Sequence, residues 1–264
     1  MTRDELILLS DINMAESYRE LSRRAGGTVL DEDGLVLWSG AHPLPVLCNG
    51  VMRLAPILGA AAVLERADRF FAARHRGYTL MIRAHADADL ADAAAAAGLA
   101  SFGDSPAMVI ERRLPDVAPP KGVTLRLVTT ARDVTAFADI NGAAYATYGM
   151  PADVAPAILN RQEVLVAPHI RAYLAVVDGE PRAAAMVILT HGAGGIYWVG
   201  TTPEARGRGL AELVTRAATN AGFDLGARMV TLQASVMGEP IYRRMGYVEV
   251  SRYPQLVRMT PPAC

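Results

Sequence analysis

The chain has 264 residues, a formal net charge of −1, 52% hydrophobic residues and 20% charged residues. The near-neutral charge gives no global field for nucleic acid, and the arginines do not form basic runs, so no nucleic-acid partner is expected. No apolar run reaches the roughly 20 residues that span a bilayer, and the acidic start differs from a signal peptide. These features predict a soluble, cytoplasmic protein with no membrane partner.

The cysteine content restricts the chemistry further. Only Cys48 and Cys264 are present. Two thiols cannot build a disulfide framework or a four-thiolate zinc site. We therefore expect a reducing compartment and no metal.

A proline-rich segment divides the sequence. The chain is long enough for two modules of ordinary domain size. Residues 114–122, Leu-Pro-Asp-Val-Ala-Pro-Pro-Lys-Gly, contain closely spaced prolines that exclude helix and strand and favour an extended spacer. We predict a first module at residues 1–114, a linker at residues 115–121 and a second module at residues 122–264.

The first module shows a helix–strand–helix pattern. A helix is predicted for residues 55–77, a strand for 78–83 and a second helix for 89–97, and the second helix ends at Gly98. Gly98 precedes Pro106 by the same interval as Gly246 precedes Pro254, which indicates a degenerate internal repeat. The alternative is that any strand–helix–strand unit ends in glycine and soon meets a proline.

The second module begins with a strand and a capped helix. Residues 123–128 alternate as a strand, and either Thr129 or Thr130 can cap the following helix. Two β-rich runs, residues 171–177 and 182–189, are joined by an Asp-Gly dipeptide, which is typical of a hairpin. These two runs are expected to pair antiparallel.

The rest of the module alternates strands with helices. The predicted elements are a strand at 195–201, a helix at 208–223, a strand at 229–234, a helix from Pro240 to its cap Gly246, and strands at 247–250 and 255–258. Apolar residues recur at three- and four-residue spacing along the helix at 208–223, which indicates one buried face.

A glycine-rich turn, residues 206–211, lies between a strand and a helix. Backbone N–H groups at such a turn are unpaired and lie at the positive end of the helix dipole, so they form an anion site suited to phosphate. Gly207 and Gly209 permit close approach, while Arg206 and Arg208 can add charge-assisted hydrogen bonds. The alternative is an ordinary glycine turn with solvated arginines.

The turn resembles the signature of the GNAT superfamily of N-acetyltransferases. No Lys-Ser or Lys-Thr follows the glycines, and no G-x-G-x-x-G is present, which excludes the common nucleotide and dinucleotide loops. The GNAT pattern (Gln or Arg)-x-x-G-x-(Gly or Ala) is met by Arg206, Gly209 and Ala211. In that family the loop binds the pyrophosphate of acetyl-CoA.

A second block, residues 233–247, is similar to the family's ending, in which a Tyr precedes a Gly-aromatic pair. Tyr242 and Gly246-Tyr247 match this ending, and the two blocks lie in the right order. The resemblance covers about residues 122–258. It implies an α/β fold with a mixed sheet, GNAT-like in the C-terminal half, with a partial GNAT-like N-terminal module.

The resemblance also implies a reaction, the transfer of an acetyl group from acetyl-CoA to a primary amine. It implies that the strand bulges at its end so that its backbone pairs with the pantetheine arm. Tyr242 would donate a proton to the leaving thiolate, since a phenol with a pKa near 10 is protonated at neutral pH. The implied cofactor contacts are Val199, Gly200, Thr201, Arg206, Gly207, Arg208, Gly209, Leu210, Ala211 and Ser235.

The general base and the acceptor stay open. Family members often place a Glu on the strand at 196–199, which has no acid here. A water relay, a substrate arriving as free amine, His169 or His191 could substitute. The acceptor can be a small-molecule amine or a protein amine, and a homodimer is compatible with the sequence.

Two further interpretations compete with catalysis by the second module, and the first module is considered separately. The chain could be a non-catalytic acyl-CoA-binding sensor or interaction module, or a scaffold without ligand. Residues 53–59 offer Pro56 where a phosphate loop needs glycines, so no cofactor is expected in the first module. Residues 122–264 are expected to bind cofactor alone.

Overall fold

The computed structural model describes residues 1–259, so Cys264 lies outside the described residues. The helices are α1 (Arg3–Arg24), α2 (Ala60–Ala72), α3 (Ala88–Ala96), α4 (Ala131–Ala146), α5 (Val154–Leu159), α6 (Gln162–Leu165), α7 (Leu210–Asp224) and α8 (Glu239–Met245). The strands are β1 (Thr28–Glu32), β2 (Leu35–Ser39), β3 (Asn49–Arg53), β4 (Tyr78–Met81), β5 (Ala100–Ile110), β6 (Val123–Leu127), β7 (Ile170–Val177), β8 (Glu180–Thr190), β9 (Ala193–Thr201), β10 (Met229–Gln233) and β11 (Val248–Arg258).

All the strands belong to one mixed sheet. Their order is β1-β2-β3-β4-β11-β5-β10-β9-β8-β7-β6. The pairs β3–β4 and β9–β10 are parallel, and the other neighbours are antiparallel. The predicted α/β class with a mixed sheet is therefore confirmed.

The two halves of the chain exchange their last strands. β5, which precedes the proline-rich segment, lies between β10 and β11, while β11 lies between β4 and β5. Each half thus contributes one parallel pair, and the last strand of each half pairs with the parallel pair of the other. This correspondence supports the internal repeat. The division at residues 115–121 stays a prediction, because the segment lies between strands that belong to one sheet.

Helices cover both faces of the sheet. α1 and α4 pack on one face, and α7 and α2 pack on the other. The sequence did not predict α1, because its buried side includes the polar residues Ser10, Asn13 and Ser17 and therefore lacks a clear apolar stripe. Within residues 1–259, no helix has the length and apolar character to cross a membrane.

Three predicted elements need correction. The strands predicted at 247–250 and 255–258 form one strand, β11, that continues through Pro254. The carbonyl of Pro254 accepts from Ile82 N–H, so the proline nitrogen faces the end of β4 and leaves the β5 side of the ladder intact. The helix predicted from residue 55 begins at Ala60, after Gly59.

α4 begins with a capping box, and its N-cap is Thr130, one of the two residues that the sequence offered. The Thr130 hydroxyl accepts from Asp133 N–H at 3.2 Å, and the Asp133 carboxylate accepts from Thr130 N–H at 3.2 Å. Burial alone would raise the pKa of the Asp133 carboxyl, but the donors from Thr130 and Thr129 outweigh it and lower that pKa. The cap is thus an anion held by hydrogen bonds.

Thr130→Ala is expected to lower the free energy of unfolding by about 1 kcal/mol, because it removes the cap. The Asp133 contribution is present above the ordinary carboxyl pKa and is lost as pH falls through its lowered folded-state pKa. Urea denaturation between neutral and acid pH measures both effects, and the acid-side loss should shrink in the variant. Thr129→Ala is the control, and an equal loss in that variant would contradict the assignment of the cap.

Candidate cofactor cleft

A cleft opens where β9 and β10 separate. Parallel pairing between them runs to Ile196 and Leu232 and then ends, while β9 continues to Thr201 with β8 as its one neighbouring strand in the described part of the chain. The cleft has a volume of about 370 Å³. The sequence-predicted residues that line it are Val199, Gly200, Thr201, Arg206, Gly207, Gly209, Leu210, Ala211, Ser235 and Tyr242.

β9 bulges beside this cleft. Its register on β8 shifts between Tyr197 and Gly200, and Trp198 has a φ of 53°. As a result the consecutive residues Tyr197 and Trp198 pack on the α4 side, while Val199 packs on the α7 side. A left-handed tryptophan is strained, and such strain is concentrated at functional sites. The bulge turns the backbone of β9 out of regular pairing at the point where the cleft opens.

Gly200 is required by close packing. A Cβ at this position would lie 2.8 Å from Asn141 Oδ1 and 3.1 Å from Ala144 Cβ. The main constraint on Gly200 is therefore the close approach of α4. Asn141 Nδ2 donates to Phe137 O at 2.9 Å, and its Oδ1 is buried without a partner among the described residues.

The glycine-rich turn leads into the N-terminus of α7. Gly207 and Gly209 both have a φ of 74°, and a Cβ at either position would have no atom within 4 Å. Gly209 is the N-cap residue and supplies no side-chain cap, so the first N–H groups of α7 have no partner from it. Left-handed backbone, open space and a helix N-terminus together suit a phosphate group.

The two arginines of the turn have different environments. Arg206 donates to Ala144 O at 3.3 Å and to Thr147 Oγ1 at 3.0 Å, so it connects the turn to the end of α4. Arg208 is exposed and is not among the residues that line the cleft. Arg206 therefore shapes the turn, while Arg208 can reach a phosphate only from solvent.

Tyr242 lies on the opposite wall, in α8. Its side chain is buried, and Gly238 makes room for the ring, since a Cβ there would lie 2.8 Å from Tyr242 Cε2. Burial raises the pKa of the phenol, and the Thr215 hydroxyl offsets part of that increase. The phenol is therefore protonated at neutral pH.

Two tyrosines at the end of α4 also line the cleft, and the sequence analysis missed them. The Tyr148 hydroxyl lies 3.3 Å from Ser235 Oγ, so a contact connects α4 with the segment after β10. The Tyr145 ring centre lies 5.3 Å from that of Trp198. Their three-residue spacing at a helix end was the available signal.

The two histidines considered as bases lie far from the bulge. His169 Nε2 is 2.7 Å from Glu20 Oε1, and its carbonyl accepts from Leu189 N–H near the far end of β8. His191 is in the turn before β9, roughly 20 Å along the strand from Trp198 at about 3.3 Å per residue. The structure brings neither histidine to the cleft.

The matching place in the N-terminal half contains buried ion pairs. Beyond the parallel pairing of β3 with β4, Arg53 Nε donates to Asp87 Oδ1 at 3.0 Å and Arg53 Nη1 donates to Asp89 Oδ2 at 3.0 Å. Arg83 Nε donates to Asp87 Oδ2 at 2.9 Å. The end of β3 therefore carries charged side chains that are already paired.

Residues 1–259 contain no group of three or more His, Cys, Asp or Glu side chains that could hold a metal ion.

Sequence comparisons agree with this geometry. The family model described as "Acetyltransferase (GNAT) domain" matches residues 185–250, which include β9, the glycine-rich turn, α7, β10 and α8. The chain is 32% identical over 150 residues to a mycothiol acetyltransferase of Pseudarthrobacter chlorophenolicus. That match covers 52% of this chain and 46% of the relative, so the chain spans less than half the length of this relative.

Structure comparisons extend the likeness to most of the chain. A GCN5-related N-acetyltransferase from Kribbella flavida has a TM-score of 0.73 and 24% identity, covering 96% of this chain and 95% of that chain. A tandem GNAT protein from the clavulanic acid biosynthesis pathway has a TM-score of 0.60 and 17% identity, covering 87% and 79%. At these identities the likeness shows the fold, in both halves of the chain.

Proposed function

We propose that the chain is an acetyltransferase of the GNAT superfamily and that it transfers an acetyl group from acetyl-CoA to a primary amine. The observation that carries the proposal is the cleft between β9 and β10, with the glycine-rich turn at one end and the Tyr242 phenol on its wall. The family match over residues 185–250 covers both features. Acetyl transfer thus agrees with the geometry and the sequence.

The cleft residues suit the parts of acetyl-CoA. The turn at Gly207 and Gly209 and the N-terminus of α7 would hold the pyrophosphate. The backbone of Val199, Gly200 and Thr201 would pair with the pantetheine arm, because no strand within residues 1–259 pairs with β9 on the cleft side there. Acetyl-CoA supplies the acetyl group as a thioester.

The chain's own residues supply orientation and a proton. An N–H at the bulge of β9 would face the thioester oxygen and stabilise negative charge there. The Tyr242 hydroxyl would donate its proton to the leaving sulfur. No acid lies on β9 between Ile196 and Val199, so we assign no general base and expect the acceptor to arrive as free amine or to lose its proton through water.

The acceptor is an amine of unassigned structure. Tyr145 and Tyr148 give the cleft an aromatic boundary on the α4 side, and Trp198 packs against Tyr145. The acceptor of mycothiol acetyltransferase belongs in a test panel of amines, because that relative shares 32% identity over its matched part. The proposal also includes protein amines as acceptors and a homodimeric assembly. It places the protein in the cytoplasm, which the low cysteine content supports.

Acetyl-CoA binding is the first test. At 100 times its dissociation constant, acetyl-CoA should stabilise the protein by about 2.7 kcal/mol, which appears as a rise in melting temperature. Amine-dependent release of CoA thiol then separates catalysis from the alternative, a non-catalytic acyl-CoA sensor favoured by the missing acid on β9. Binding without thiol release across the panel would support the sensor, and absence of binding would exclude both.

Gly209→Glu is expected to weaken acetyl-CoA binding by more than about 100-fold, because like charges in contact cost several kcal/mol. Calorimetric titration with acetyl-CoA measures the change. Gly226→Glu is the matched control: Gly226 also has a positive φ and open space, but it follows the far end of α7. Equal affinity in both folded variants would place the phosphate site elsewhere.

A further inference from the structure

α7 carries two threonines on neighbouring turns, Thr215 and Thr219, and both are fully buried. They lie four residues apart, so they share one face of the helix, and Thr215 is also four residues beyond Ala211, which lines the cleft. This face of α7 is therefore continuous with the wall of the cofactor cleft.

The hydroxyl of Thr219 is fully engaged. It donates to Thr215 O at 2.7 Å, the usual bond of a helical threonine to the carbonyl four residues earlier. It also lies 2.6 Å from the hydroxyl of Tyr247. Thr219 is thus a structural residue whose hydrogen-bonding capacity is used within the fold.

The hydroxyl of Thr215 is in the opposite situation. Its Oγ1 is buried and forms no hydrogen bond of ordinary length and angle with any of residues 1–259, although it lies close enough to the Tyr242 phenol to lower the pKa of that group. The nearby phenol is that of Tyr242, whose ring centre lies 6.0 Å from that of Tyr247. An unpaired buried hydroxyl costs about 1–3 kcal/mol of stability. Such a group beside a phenol that can donate a proton therefore calls for a functional explanation.

We propose that Thr215 is a positioning residue, whose hydroxyl donates a hydrogen bond to the Tyr242 phenol oxygen when Tyr242 gives up its proton. The inference rests on the proposed function. The Tyr242 O–H bond breaks as an S–H bond forms on the leaving sulfur, and the negative charge left on the phenol oxygen is stabilised by the Thr215 hydroxyl. The phenol regains its proton from water after CoA leaves.

The Thr215 hydroxyl affects how readily the Tyr242 phenol can lose its proton. Burial makes Tyr242 a weaker acid, and the Thr215 hydroxyl is the group that opposes this effect. A hydrogen bond to a charged group is stronger than one to a neutral group, so the bond strengthens as the phenolate forms. Thr215 therefore favours the transition state more than the ground state, which is the condition for an effect on turnover.

Thr215→Val keeps the shape of the side chain and removes the donor, and Thr215→Ser restores it. We expect Thr215→Val to lower kcat for amine-dependent CoA release about tenfold, with the KM for acetyl-CoA unchanged and with recovery in Thr215→Ser. Thr219→Val is the matched control on the next turn, and it should lower the melting temperature without lowering kcat. Equal losses of kcat in the two valine variants would overturn the proposal.

A second measurement needs no turnover. A fluorinated tyrosine placed at position 242 can be titrated by ¹⁹F NMR in the ligand-free protein. Thr215→Val should raise its pKa by about 1 to 2, as expected for loss of a hydrogen bond to a charged group. An unchanged titration would overturn the proposal.

A double-mutant cycle separates this inference from the proposed function. In a Tyr242→Phe background, Thr215→Val should cause no further loss of kcat. Full activity in Tyr242→Phe alone would remove Tyr242 from the mechanism, and Thr215 with it. A loss in Tyr242→Phe with an unaffected Thr215→Val would reject the role of Thr215 and leave that of Tyr242.

Discussion

Tyr242→Phe is expected to lower turnover by about 10²- to 10⁴-fold, the usual contribution of a positioned acid, while acetyl-CoA affinity stays nearly constant. The substitution keeps the ring that packs against Gly238 and deletes only the hydroxyl. The burial that raises the phenol's pKa keeps the donor protonated across the physiological range. Steady-state kinetics on CoA release, together with calorimetric binding of acetyl-CoA, measures both quantities.

The matched control is Tyr247→Phe. Tyr247 is also buried and its hydroxyl also contacts a threonine of α7, but it does not line the cleft. Tyr247→Phe should therefore cost stability without lowering turnover. Wild-type turnover in folded Tyr242→Phe would mean that solvent protonates the leaving sulfur and that Tyr242 serves only in packing.

Local features were predictable because each follows from a few adjacent residues. Thr130 caps α4, as one of the two alternatives, because its hydroxyl and Asp133 satisfy the free N–H groups of the first turn. Asp178 and Gly179 both have positive φ, as the predicted hairpin requires. The glycine-rich turn before α7 was likewise predictable from Gly207 and Gly209, both of which have positive φ.

Features that depend on distant partners were not predictable. α1 was missed because a helix that docks with Asn13 and Ser17 has no apolar period to detect. The sequence predicted two strands separated at Pro254, but a proline is tolerated within β11 because its nitrogen faces the place where β4 ends. Tyr148 joined the site only through the fold, which brings the end of α4 to the segment after β10.

The exchange of β5 and β11 between the two halves is the largest feature that could not be predicted from the sequence. A sequence read in order assigns β5 to the first half, yet β5 pairs with β10 at Val230–Gln233 and with β11 along its length. Met108 and Ile110 of β5 belong to the same core cluster as Tyr242. The wall of the cofactor cleft therefore depends on residues that precede the linker.

Residues 122–264 alone are consequently expected not to fold, which reverses the expectation from sequence that they would bind cofactor by themselves. Removing residues 1–114 would leave β10 and β11 without the strand between them and expose apolar core. It would also remove Asn13, whose Nδ2 donates to Ala193 O at 2.9 Å and Ile188 O at 3.1 Å. Thermal unfolding followed by circular dichroism should show no cooperative transition.

The control keeps every strand and breaks only the connection. A protease site inserted between Pro119 and Pro120 lies in a stretch without helix or strand, so cleavage there should leave the two pieces associated. Acetyl-CoA should still raise the melting temperature of the nicked protein, because β5 keeps its place between β10 and β11. A cooperative transition and cofactor binding by residues 122–264 alone would show that the exchanged strand is dispensable, and each half would then be an independent module despite sharing one sheet.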